Sequence, residues 1–245
     1  MSRLLIGLAL IPTSLISLFV AAQSLWLVAG AASVSWPFLL GMFVFVLVWF
    51  FCRGFSQKKL FAFCDRMMKR VYVLGHELTH AVAAWGLGAK ISSFKVSVEG
   101  GHVDVSRSNF FVSLAPYCIP FYTVLIILGF RVFLWIKPEE SVVGFFLAAI
   151  GFSLAFHWIK TSECLWDVRQ PDLDAAGGVF FSLALIGISN GILLLLILKT
   201  LFPRTVLVMS ALETIGRLSF AFWIRVSQEL KNFALLAAKD IKKTH

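Results

Sequence analysis

Val71-Tyr72-Val73-Leu74-Gly75-His76-Glu77-Leu78-Thr79-His80-Ala81-Val82-Ala83-Ala84-Trp85-Gly86-Leu87-Gly88-Ala89 is an apolar run of membrane-crossing length that carries three ionisable groups within one helical turn. In lipid such groups are costly, and they mark function more often than structure. On a helix, residues i and i+4 share a face, so His76 and His80 can present two imidazoles to one metal ion. Glu77 lies one residue along, beside that site, where a carboxylate can deprotonate a metal-bound water. Five His and seven Glu in 245 residues make a chance occurrence of this spacing rare, roughly 0.003 per chain of this composition.

The rest of the chain fits this reading. It is 59% hydrophobic and 14% charged, with a mean hydropathy of +0.88. A water-soluble globular domain carries about a quarter charged residues, so that class is excluded. Disorder is excluded by 25 Phe and 8 Trp. Long unbroken apolar runs speak against a transmembrane barrel, whose segments alternate over about ten residues. The expected fold is an all-α polytopic membrane protein with about six transmembrane helices.

Two N-terminal spans occupy 1–52: Leu4 to about Val28, and Pro37 to Phe51, the latter short unless it begins near Ala32. The first is too long for a signal-peptide core and is read as a helix. A basic loop, 53–70, follows with Arg53, Lys58, Lys59, Arg66, Lys69 and Arg70 against Asp65. The third run, 71–89, opens a core that extends to about residue 200. The fourth, Asn109 to Trp135, should be kinked by Pro116 and Pro120. Val142 to Trp158 is the fifth, and the sixth runs from near Asp172 to Leu198.

The segment 201–245 differs in character. Val208, Leu212, Ile215, Phe222, Val226, Leu230 and Phe233 recur mostly at three- and four-residue intervals among dispersed Lys and Arg. This predicts an amphipathic helix, either lying on the membrane with Phe220, Phe222 and Trp223 as anchors or packed on the bundle's own loops. The net charge of +9 has no polar basic domain to house it, so no nucleic-acid partner is expected; an anionic lipid bilayer is. The Lys/Arg distribution favours both termini inside. The four cysteines are scattered and read as free thiols.

Residues 90–106 alternate around Gly100-Gly101. A two-residue turn there would set Glu99 opposite His102, Val98 opposite Val103 and Val96 opposite Val105. Phe94, Val96, Val98, Val103 and Val105 would then share one face of a β-hairpin. The exposed edge of such a hairpin could pair with an extended substrate strand.

Two histidines leave a zinc site one protein ligand short. Asp172 and Asp174, at the start of the sixth run, are the candidates, and only one of two residues so spaced can face the metal. Pro171 suits the first helical turn and places Asp172 in it. His157, near the end of the fifth run, is a weaker candidate. His102 and His245 are not expected to be ligands.

The segment Val73-Leu74-Gly75-His76-Glu77-Leu78-Thr79-His80-Ala81-Val82, the Gly86-Leu87-Gly88-Ala89 helix end and the following hairpin resemble the site-2 protease family of intramembrane zinc metalloproteases, over roughly residues 70–195. The resemblance implies one Zn2+ per chain, His76 and His80 as ligands and Glu77 as catalytic base. It places the third ligand on an aspartate opening a later core helix. The family's usual Asp-Gly pair is absent, since Leu173 follows Asp172 and Ala175 follows Asp174. Pro171-Asp172-Leu173 looks like the shorter motif of compact members without a PDZ domain, which favours Asp172. The implied protein is an endopeptidase of the cell (inner) membrane that cuts a transmembrane protein substrate, with a regulatory membrane partner in addition. Its active site would open towards the cytoplasm, whereas the charge distribution puts the hairpin outside. A non-proteolytic metal-binding scaffold or transporter is the alternative.

Overall fold

The computed structural model describes residues 2–55, 57–97, 100–137, 142–167 and 170–243, the last seven as backbone only. Its helices are α1 (Ser2–Gly30), α2 (Ala32–Gly54), α3 (Lys59–Gly86), α4 (Phe110–Cys118), α5 (Phe121–Ile136), α6 (Val143–Asp167), α7 (Pro171–Ala176), α8 (Val179–Leu201) and α9 (Val208–Lys243). Between α3 and α4 lie two antiparallel strands, β1 (Ile91–Val96) and β2 (Gly101–Val105).

Two long helix pairs form the frame: α1 along α8, and α2 along α6. Without a hydrophobic driving force between helices in lipid, close packing needs small residues at the seam. The α2–α6 seam has them. A Cβ on Gly41 would lie 1.9 Å from the Ala148 carbonyl oxygen, and one on Gly151 would lie 2.0 Å from that of Phe38. Val28, Phe38, Ile150, Leu154, Leu195 and Leu198 fill the space between the pairs and are almost fully buried. On the outer surface Leu15, Phe19, Phe43 and Phe50 are more than half exposed. An apolar exterior of this extent marks a membrane protein.

Four of the described helices are long and apolar enough to cross a membrane: α1, α2, α6 and α8. A fifth span results if α4 and α5, bent by 72°, are taken together. The third expected span falls on α3, which is not among these helices and is set apart by its basic first half, so the count of six is not reached. The sequence places a basic loop over 53–70, but the chain is helical from Lys59 onward. The boundary drawn at residue 71 marks where hydropathy changes, and nothing between Lys59 and Gly86 breaks a helix.

Three further boundaries move. The fifth run extends to Asp167. The expected kink in the fourth becomes a break at Ile119-Pro120. The sixth run divides into α7 and α8 at Gly177 (φ 135°) and Gly178 (φ 99°), a left-handed conformation that glycine adopts without strain.

The hairpin forms with a different register from the expected one. Phe94 pairs with Val103, Lys95 with His102 and Val96 with Gly101, with an irregularity between Ile91 and Ser93. The turn is thus longer than Gly-Gly: the Ser97 N–H and hydroxyl both donate to the Gly100 carbonyl, and Gly101 joins β2. Val98 and Glu99 lie outside the described residues. Because the slip is even, Phe94, Val96, Val103 and Val105 still share one face.

At the C-terminal end, α9 begins at Val208, not at 201. Its first turns dock on α1 and α8 through Val208, Ala211, Leu212 and buried Ile215. Phe220, Leu230 and Phe233 are 64–72% exposed. The first turns thus pack on the bundle, against helices and not against loops, while the later turns leave apolar side chains exposed.

Candidate metal centre

The helical spacing of His76 and His80 brings their rings together edge-to-face, with centroids 4.9 Å apart and planes at 76°. Close approach of α5 fixes this turn of α3. The Tyr122 ring lies over Gly75, where a Cβ would meet it at 2.7 Å, and the Tyr122 hydroxyl donates to the Val71 carbonyl at 2.6 Å. The Thr79 hydroxyl donates back to the Gly75 carbonyl at 2.6 Å.

Asp172 arrives from a segment about ninety residues further along the chain. Pro171 stands in the first turn of α7, as its missing N–H allows. The Arg3 guanidinium donates to the Ala176 carbonyl at 3.0 Å and ties down the far end of this short helix. Asp172 Oδ2 then lies 3.5 Å from His76 Nε2 and 3.3 Å from His80 Nε2. One ligand atom from each of the three residues falls within 4.8 Å of the others. Asp174 is exposed and outside this group. His157 is buried behind His76 and also outside it. His245 lies outside the described residues.

The donor set suits Zn2+: two imidazoles and a carboxylate, on two elements, with room for a fourth position. A tautomer test on His80 agrees. Its Nδ1 is 2.9 Å from the Val112 carbonyl oxygen, so Nδ1 carries the proton and Nε2 turns its lone pair towards Asp172. That carbonyl is available because of a proline. In a helix the Val112 oxygen would accept from residue 116, and Pro116 has no N–H to give. Asn109 caps the same helix, accepting from the Val112 N–H at 3.0 Å.

Tyr117, fully buried in the next turn, donates its hydroxyl to Asp172 Oδ2 at 2.9 Å and sets its ring edge-on to His76. The break after α4 frees the Tyr117 carbonyl, and Asn190 of α8 donates to it at 2.9 Å. Sequence reasoning missed these supporting residues. Tyr117 alone left a signal, because a tyrosine inside an apolar run needs a partner for its hydroxyl.

The triad faces a cavity of about 710 Å³ lined also by Glu77, the hairpin and the lower part of α6. Glu77 is 7% exposed and β2 lies against it. A Cβ on Gly101 would come within 2.3 Å of Glu77 Cγ, so only glycine lets the strand approach this closely. On the hairpin's polar face, Asp104 accepts from the Ser93 hydroxyl and sits 2.6 Å from His102 Nε2. These two contacts hold its carboxyl below the usual carboxylate range. His102 lines the cavity but stays with Asp104. Buried Lys160 lines it from α6, hydrogen-bonded to Glu163, whose other oxygen accepts from Arg53 and Trp49 at 2.8 Å.

No protein-family model matches the chain, and no curated protein or solved structure matches it either.

Proposed function

We propose that this chain is an intramembrane zinc metalloendopeptidase of the site-2 protease type, cutting a peptide bond in or near a transmembrane segment of another membrane protein. The observation that carries this is the meeting of His76, His80 and Asp172, from opposite ends of the core, in a large cavity that also holds the buried carboxylate of Glu77. Zn2+ held by these three residues supplies Lewis acidity towards a carbonyl and acidifies water.

The protein's own groups do the rest. His76 and His80 offer Nε2, Asp172 offers Oδ2, and Tyr117 holds that carboxylate in place. Glu77 takes a proton from the attacking water at its carboxylate and delivers it to the leaving nitrogen, so that water adds across the C–N bond with its hydroxyl on the carbonyl carbon. A substrate helix hides its backbone in its own hydrogen bonds and must unwind to be cut. β2, which lines the cavity, offers main-chain groups along an edge to hold the unwound segment extended.

The same reading makes α3 a membrane element. Val82 and Trp85 are exposed on its second half, and Trp26, Trp36, Trp135 and Trp166 are exposed near the ends of α1, α2, α5 and α6, as in an interfacial aromatic belt. Residence in the cell (inner) membrane belongs to this proposal.

Glu77→Gln tests it. The variant should retain one zinc per chain by elemental analysis and lose cleavage of membrane-protein substrates, read by comparing the membrane proteomes of variant and wild-type cells. Processing that survives the change would replace this reading with that of a metal-binding scaffold or transporter.

A further inference from the structure

His76 also lines a second and much smaller cavity of about 20 Å³, whose lining does not include Asp172. It is bounded by α3, α4, α5 and α6, and both His76 and His157 line it. Its volume matches one water molecule, which needs about 10–15 Å³ and two to four polar partners. The other polar side chains of its lining are engaged. Tyr72 donates to Thr161, Thr79 to Gly75, Tyr122 to Val71, and Ser153 bonds both Thr123 and Ile150. Two buried ring nitrogens are not: among the described residues His76 Nδ1 and His157 Nε2 have no hydrogen-bond partner. His157 is 93% buried, since it retains 7% exposure. A buried polar atom left unsatisfied costs roughly 1–3 kcal/mol, and here the two residues that carry such atoms line one water-sized space.

We propose that this cavity binds a single structural water that links His76 Nδ1 to His157 Nε2, and that His157 is a positioning residue for the metal ligand His76. The inference rests on the zinc reading above. His76 faces Asp172 through Nε2, so in the loaded protein its proton is on Nδ1, which donates to the water oxygen. The water in turn donates to His157 Nε2, and His157 carries its own proton on Nδ1. This gives His76 the support that the Val112 carbonyl gives His80. Both ligands are then fixed in tautomer and ring orientation by outer partners, an arrangement whose loss typically lowers metal affinity 10–100-fold.

The test measures zinc affinity of the full chain in detergent micelles, by competition with a chromophoric chelator, for wild type, His157→Phe, His157→Leu, His157→Gln and His76→Ala. Gln can place an acceptor oxygen near the position of Nε2; Phe and Leu cannot. Thermal melting of each metal-free protein reports packing. The expected result is affinity about tenfold or more weaker in Phe and Leu, with recovery towards wild type in Gln. Metal-free melting should not follow that order. Leu serves as the second apolar variant should Phe fail to fold. Wild-type affinity in either apolar variant, or Gln as weak as both, would overturn the water link while leaving the zinc site standing. Zinc binding absent from wild type and His76→Ala alike would remove the metal reading, and this inference with it.

Discussion

Asp172 and Asp174 differ by two positions in one short helix, and that difference decides which joins His76 and His80. Asp172 Oδ2 receives the Tyr117 hydroxyl and faces both imidazoles, while Asp174 is exposed. Asp172→Ala should therefore lose most of its zinc, as should His76→Ala, with Asp174→Ala keeping about one zinc per chain; metal analysis of the purified variants checks this. Metal loss confined to Asp174→Ala would reverse the assignment. The preference for Asp172 was legible from Pro171, which fixes the first helical turn. The role of Tyr117 was not, because it depends on α4 packing against α7.

At the scale of elements, α4 shows how a helix breaker can serve a site at a distance. Pro116 leaves the Val112 carbonyl without its backbone donor, and His80 takes its place. Pro116→Ala restores that donor. The helix gains intrinsic propensity, yet the carbonyl must now be shared between the Ala N–H and His80 Nδ1. Zinc affinity should fall, by up to about tenfold, while the metal-free protein melts no lower than wild type. Unchanged affinity in chelator competition would mean that the proline only shapes α4. From the sequence, Pro116 and Pro120 were recognised as sources of a bend; which carbonyl was released, and to whom, requires α3 and α4 side by side. The hairpin teaches the same lesson. Alternation identified its two strands and their faces, but Gly101 was assigned to the turn, and contact with Glu77 draws it into β2.

For the whole molecule, the site stands or falls with the α2–α6 seam, because α6 carries both His157 and Lys160 towards the core. Gly151 has the Phe38 carbonyl where its Cβ would be, at 2.0 Å, and backbone cannot yield as a side-chain tip can. Gly151→Val should destabilise the protein by about 1–3 kcal/mol or more, seen as a lower melting temperature and as a loss of zinc retention on heating. A variant that melts like wild type would show that the helices separate more easily than their packing implies.

Sequence alone determined what depends on local periodicity and on transfer from water. The apolar runs mark a helical membrane protein, the i, i+4 spacing of His76 and His80 places two imidazoles on one face, and alternation marks the hairpin strands. Each of these follows from the chain's own neighbours within a few residues. The tertiary structure decided the rest: that Asp172 meets a helix about ninety residues earlier in the chain, that Val112 and Tyr117 hydrogen-bond His80 and Asp172, and that Gly101 rests on Glu77. Those are contacts between segments distant in sequence. Their partners are chosen by the close packing of small-residue seams and by the demand that every buried polar group be satisfied, and neither leaves a local periodic trace.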